Sequence, residues 1–240
     1  DLLRIVKRDV LWFAGLGGLG LGTFHLLWNF GVGINGVAVS TVQQAIMPII
    51  LAIAARFAFK ESLNKYKIFA IILTFGGAIF LSGLLKQTNG ELNVSGILVG
   101  FAIPLTYAMF NLFSKKITGR YHPLTILAYG FGFGALTLLP IQLFLPQSVS
   151  PPLSSFFLLG GLVVISTVLP FLLYTFLLRG LDVSVAGILS MAEIPIAFFY
   201  AFIVFDEMFT FYQWIGTALI IMGIGLFLRH KVQEKQGNTH

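Results

Sequence analysis

Glu193 is the residue whose position most demands a chemical reason. It stands near the middle of the apolar run Val183–Phe205, which contains no basic residue. A carboxylate at the centre of a hydrocarbon layer costs about 2.5–3.5 kcal/mol on insertion scales. It survives there by facing a wet cavity, by pairing, or by carrying a proton, and each of these suits the movement of a solute or a proton. The structural alternative is a protonated carboxyl hydrogen-bonded beside the kink at Pro195. Ser190 shares its helix face. Gln43 and Gln44 stand just ahead of a second buried-run proline, Pro48. Gln44 reads either as a partner for a polar solute or as repair for the carbonyl that the proline frees. His25, Trp28 and Asn29, spaced i, i+3 and i+4, share one face. They read as cavity lining or as interhelical hydrogen bonds, which are worth about 0.6–2 kcal/mol each, and Trp28 also suits the interfacial belt. Tyr107 and Asn111 share a face just after Pro104, while Tyr174 and Thr175, close to Arg179, read as interfacial anchors.

Other motifs argue against other chemistry. The run Gly15-Leu16-Gly17-Gly18-Leu19-Gly20 has the spacing of a dinucleotide fingerprint, but neither the preceding strand nor the following acidic residue is there. Gly15, Gly18 and Gly22 instead share a face on which helices could approach closely. With no Cys there is no disulfide framework and no Cys-ligated metal, and no cofactor or metal is expected. His-Glu-x-x-His, Gly-x-Ser-x-Gly and paired intramembrane aspartates are all missing, which weighs against an intramembrane enzyme.

These residues must be positioned by membrane helices. The chain is 57% hydrophobic and 10% charged, whereas soluble domains carry roughly 25% charged residues. A pI near 9.7 would suit a nucleic-acid partner, but the basic residues sit in short runs between apolar segments, so the expected partner is lipid. Eight segments are long enough to span: Val10–Phe30, Val37–Phe57, Ile68–Leu85, Val94–Phe113, Leu124–Leu145, Phe156–Leu178, Val183–Phe205 and Phe211–Leu228. Helix is the only state in which lipid-exposed backbone satisfies itself. The polar tail from Arg229 to His240 is expected to fray. Of the fifteen Lys and Arg, all but Lys86 fall on the side that holds both ends, and the positive-inside rule puts that side in the cytoplasm.

The chain also repeats itself. Met47-Pro48 leads through an apolar stretch to Phe59-Lys60-Glu61, a short turn and a run closing on Gly76-Gly77; Ile194-Pro195 leads to Phe205-Asp206-Glu207 and a run with Gly216, Gly223 and Gly225. The copies lie five spans apart, so they cross the membrane in opposite directions, an arrangement common in secondary transporters and also used by channels. Glu61 and Glu207, at helix ends, read as structural carboxylates near the N-terminal amides of the next helix, and Pro48 and Pro195 as structural kinks.

This pattern resembles the EamA repeat of the drug/metabolite transporter superfamily. The resemblance implies an all-α polytopic fold, an incomplete version of a ten-helix, two-repeat bundle with inverted repeats and a central cavity. It divides the chain into the last three helices of a first repeat (1–86), a complete five-helix second repeat (87–229) and a cytoplasmic tail (230–240), with two more helices ahead of Asp1. It also implies a multi-pass inner-membrane secondary transporter, without enzymatic activity, for the export or uptake of small metabolites or drugs, a movement often coupled in this family to proton exchange. An intramembrane enzyme and a channel are the alternatives. Under the transporter reading, His25, Trp28, Asn29, Gln43, Gln44, Tyr107, Asn111, Ser190 and Glu193 line the substrate cavity. With no Lys or Arg at depth, such a lining suits an amphipathic or zwitterionic solute better than a polyanion. The orientation has a direct test. A Cys placed at Val149 should react with an impermeant thiol reagent from outside the cell and one at Gln233 should not; the reverse pattern overturns the inverted arrangement.

Overall fold

The computed structural model describes residues 4–82, 94–144, 152–206, 208 and 210–237, and every regular element among them is helical. A 3-10 turn at Lys7–Asp9 leads into α1 (Val10–Ala14), a π-helical stretch (Gly15–Gly22) and α2 (Thr23–Gln44). Then follow α3 (Met47–Ala58), α4 (Lys65–Leu81), α5 (Val94–Thr118) and α6 (Pro123–Phe144). A further long helix is α7 (Leu153–Leu162), a second π-helical stretch (Val163–Val168) and α8 (Leu169–Leu177). Last come α9 (Val183–Ser190), α10 (Glu193–Phe205) and α11 (Phe211–Gly237). Six helical stretches among the described residues are long and apolar enough to cross a membrane.

Three boundaries differ from expectation. The stretch Gly31–Gly36 is a shorter connection than expected: helix continues through it as far as Gly36, whose φ of 77° needs a residue without a Cβ, and α2 is two helical segments that meet at that kink. The polar tail is helical as far as Gly237, carried on from the apolar part of α11. Finally, the second and seventh expected spans are each broken, at 45–46 and 191–192, just ahead of Pro48 and Pro195. A proline lacks the N–H that would bond back one turn, so the helix restarts around it. Short i→i+3 bonds bridge each gap, from Ile46 N–H to the Gln43 carbonyl (3.2 Å) and from Ala192 N–H to the Leu189 carbonyl (3.0 Å).

The helices gather into two compact units, residues 1–26 with 109–181, and 27–108 with 182–240. In the first, the Gly-rich π stretch packs on α6. A Cβ at Gly17 would lie 2.3 Å from the Gly130 carbonyl oxygen, and one at Gly22 2.9 Å from that of Gly134. Gly15 and Gly20 face Phe113 and Phe110 of α5 instead. The expected Gly15/Gly18/Gly22 face is therefore redistributed, because π winding changes which positions align. At the end of α8, Lys115 Nζ donates to the Leu178 carbonyl (2.9 Å) and to that of Leu181, satisfying oxygens that a helix end leaves open.

The second unit is built on α4 against α11 and α3 against α9. Its tightest point is Gly77 against Gly216, where an added Cβ on either would come within 2.6 Å of the other's carbonyl oxygen. Neighbouring Gly76 faces open space. Gly77→Ala should therefore destabilise the detergent-solubilised protein by about 1–3 kcal/mol through overpacking, and Gly76→Ala should not. Equal melting temperatures for the two variants would show that the helices do not meet at Gly77.

Candidate functional site

The two broken helices of the second unit meet at their breaks. Gln44 is the last residue of α2 and Glu193 the first of α10. The Gln44 amide donates from Nε2 to Glu193 Oε1 at 2.9 Å. Beside this bond lies a cavity of about 340 Å³. Its polar lining is Thr41, Gln44, Glu193 and Gln213, and its apolar lining includes Trp28, Leu81, Ala197 and Phe198. Glu193 is the one ionisable residue among these, and it is exposed to the cavity rather than sealed in protein. The local chemistry is therefore a single carboxylate, held on one oxygen by an amide, against a largely apolar wall. Such a wall can take the hydrocarbon body of a solute, and the second carboxylate oxygen can take an ammonium group or a proton.

The candidate residues separate into those the cavity collects and those placed elsewhere. Trp28, Gln44 and Glu193 line it. Gln43, one residue from Gln44, points away. Its Oε1 accepts from Asn35 (3.2 Å), its amide donates to the Gly96 carbonyl (3.3 Å), and a Cβ at Gly100 would collide with it. Together with the Asn35 bond to the same Gly96 carbonyl (3.0 Å), it braces the bend at Gly36 against α5. Ser190 donates back to the Ala186 carbonyl (3.0 Å), satisfying its hydroxyl within α9. His25 bonds through Nδ1 with the Leu21 carbonyl (2.8 Å) in the first unit. Asn29 and Tyr107 belong to the second unit and are not among the residues lining the cavity. Asn111 is buried in the first unit, where it accepts a hydrogen bond from the Tyr174 phenol, and Thr175 is buried too. Thr41 and Gln213 were not singled out in the sequence. Thr41 is one turn from Gln44, a spacing that could have flagged it.

Pro48 and Pro195 are both buried at the breaks that set Gln44 and Glu193 facing one another. Glu61 is buried as well, but it caps a distant helix rather than the next one. Its carboxylate accepts from the backbone N–H of Val183 (2.7 Å) and Ser184 (3.2 Å), and from the Ser184 hydroxyl, at the start of α9. Lys67 Nζ lies 3.7 Å from it and also reaches Ser184 Oγ (2.9 Å) and Asp182 (3.4 Å). The next helix, α4, has its own cap, Asn64 accepting from Lys67 N–H at 2.8 Å. Glu207 lies outside the described residues.

With this geometry in view, the relatives of the chain are informative. Its sequence matches the EamA-like transporter family over residues 2–83 and 94–229. An uncharacterized transporter of Archaeoglobus fulgidus is 24% identical over 231 residues, covering 95% of this chain and 81% of that protein. The uncharacterized transporter YxxF of Bacillus subtilis is 27% identical over 92% of this chain and 71% of its own length. The uncharacterized inner membrane transporter YicL of Salmonella typhimurium is 24% identical over 91% and 73%. A solved crystal structure superposes with a TM-score of 0.77 at 20% identity, covering 94% of this chain and 77% of that one, so the fold is shared. Helices fit to cross a membrane, a fold shared with a solved structure, and a family match along nearly the whole chain agree: this is a multi-pass membrane protein of the EamA-like transporter family.

Proposed function

We propose that the chain acts as a proton-coupled secondary transporter that exports small amphipathic or zwitterionic metabolites through the Glu193 cavity. The observation that carries this reading is the Gln44–Glu193 bond, made where two proline-broken helices end beside an accessible cavity. Discontinuous helices that present their ends to a midplane site are the usual way in which secondary transporters build a solute site. The apolar lining accepts a hydrocarbon body, and no basic residue is present in the lining to hold a polyanion.

In this proposal eight spans cross the membrane with both described ends in the cytoplasm. The stretches ending at Glu61 and Glu207 are then inverted copies of one another. Supporting this, the residue just before each of those glutamates is left-handed, Lys60 at φ 57° and Asp206 at φ 51°, although neither is glycine. Such matched strain at matched motif positions is unusual for L residues. The inversion gives inward- and outward-facing states of similar energy around one site. The carboxylate would exchange a solute ammonium on one face for a proton on the other.

The test is Glu193→Gln in the full-length protein reconstituted in proteoliposomes. Substrate flux driven by a pH gradient should fall to background, while membrane insertion and monodispersity stay as in the wild type. Unchanged flux with unchanged pH dependence would reduce Glu193 to a packing residue beside a kink.

A further inference from the structure

Gln213 is another polar residue of the cavity lining, and the orientation of its amide is fixed by local chemistry. Gln213 is the third residue of α11 and Thr210 immediately precedes that helix. Thr210 backbone N–H lies 2.9 Å from Gln213 Oε1, and Thr210 Oγ1 donates to the same oxygen at 3.0 Å. This is one half of a capping box, the half in which the side chain at the third position reaches back to the cap residue. A backbone N–H can only donate, so the atom that meets it must be the amide oxygen, and the usual ambiguity of a glutamine amide does not arise. Both contacts fall on Oε1, so Nε2 is the polar atom of this side chain that takes no part in the cap, and Gln213 is one of the residues lining the cavity. No hydrogen bond occupies that NH2 group among the described residues.

We infer that Gln213 is the donor pole of the site: its Nε2 recognises a carboxylate or carbonyl oxygen on the solute whose ammonium group sits at Glu193. The inference rests on the proposed role of the Glu193 cavity and narrows it. The site then distinguishes solutes carrying both an amine and an acceptor from those carrying an amine alone. Its two poles are of different chemistry. Gln44 holds Glu193 Oε1, so the acceptor pole offers Oε2. The Thr210 cap holds Gln213 Oε1, so the donor pole offers Nε2. Leu81, Ala197 and Phe198 line the same cavity and suit an apolar body. A site that hydrogen-bonds a particular solute group discriminates strongly against analogues lacking it, because its own polar atom is then left unmatched.

Gln213→Glu separates the donor from the cap. A glutamate oxygen still accepts from Thr210 N–H, but the NH2 donor is gone and a charge that repels carboxylates takes its place. Gln213→Met, of similar length, removes the donor without adding charge, and circular dichroism melting checks that both variants fold. The full-length protein in lipid nanodiscs is tested by equilibrium dialysis against leucine and phenylalanine, their decarboxylated amines and their deaminated acids. Wild type should retain the zwitterions best. Both variants should lose at least about tenfold in zwitterion affinity, while the amines bind as before to Gln213→Met and at least as tightly to Gln213→Glu. Zwitterion affinity unchanged in both variants, with Glu193→Gln losing zwitterions and amines alike, overturns the role of Gln213 and leaves the Glu193 site standing. Retention that no substitution alters, or no retention by wild type, overturns the solute site itself and this inference with it.

Discussion

A carboxylate inside an apolar helix needs a reason to remain there, and the rest of this structure can be understood as supplying one. Glu193 opens α10 at a break forced by Pro195, and Gln44 closes α2 at a break forced by Pro48. Two interruptions at comparable points of two apolar helices let one amide meet one carboxylate at 2.9 Å. Had either helix continued unbroken, the pair would have had to form across two regular helix faces. Beside the pair lies the cavity that both residues line.

Close packing elsewhere in the second unit keeps that arrangement in place. The approach of α4 and α11 at Gly77 and Gly216 brings backbone to backbone. In a membrane such contacts replace the hydrophobic drive that water supplies to soluble cores. At the start of α9, the Glu61 carboxylate and Lys67 ammonium are both buried and both hydrogen-bonded, which offsets the desolvation that would otherwise make them costly. That cluster fixes the beginning of α9, and α9 leads directly into the break that carries Glu193. Gln43, Asn35 and Gly96 do the corresponding work at the bend of α2, ahead of the break that carries Gln44.

Much of this was legible in the residues because polarity inside an apolar run is conspicuous. Glu193, Gln44 and Trp28 stood out for that reason, and the structure brings all three to one cavity. Helical spacing could not say which of two adjacent glutamines faces the site, since the bend at Gly36 rotates the segment that bears them. Nor could it anticipate the π winding of Gly15–Gly22, which redistributes the glycines between α5 and α6. Gln213 escaped notice because Thr210-x-x-Gln213 reads as an ordinary helix start, and only the fold brings that residue into the cavity lining. Glu61 looked local and is not: the amides it caps, those of Val183 and Ser184, lie more than a hundred residues away, beyond the reach of any pattern along the chain.

The central claim is that Glu193 faces a cavity open to water within a membrane-embedded protein. The chain contains no cysteine, so one introduced thiol is unique. Ala197 lines the cavity, whereas Phe157 is an exposed apolar residue of α7. In native membranes, Ala197→Cys should react readily with a small cationic methanethiosulfonate, and more slowly once Glu193→Gln removes the carboxylate that attracts the reagent. Phe157→Cys should stay unmodified in lipid. An Ala197 thiol as inert as the one at Phe157 would contradict the account, because Glu193 would then lie in a dry environment with no solute path beside it.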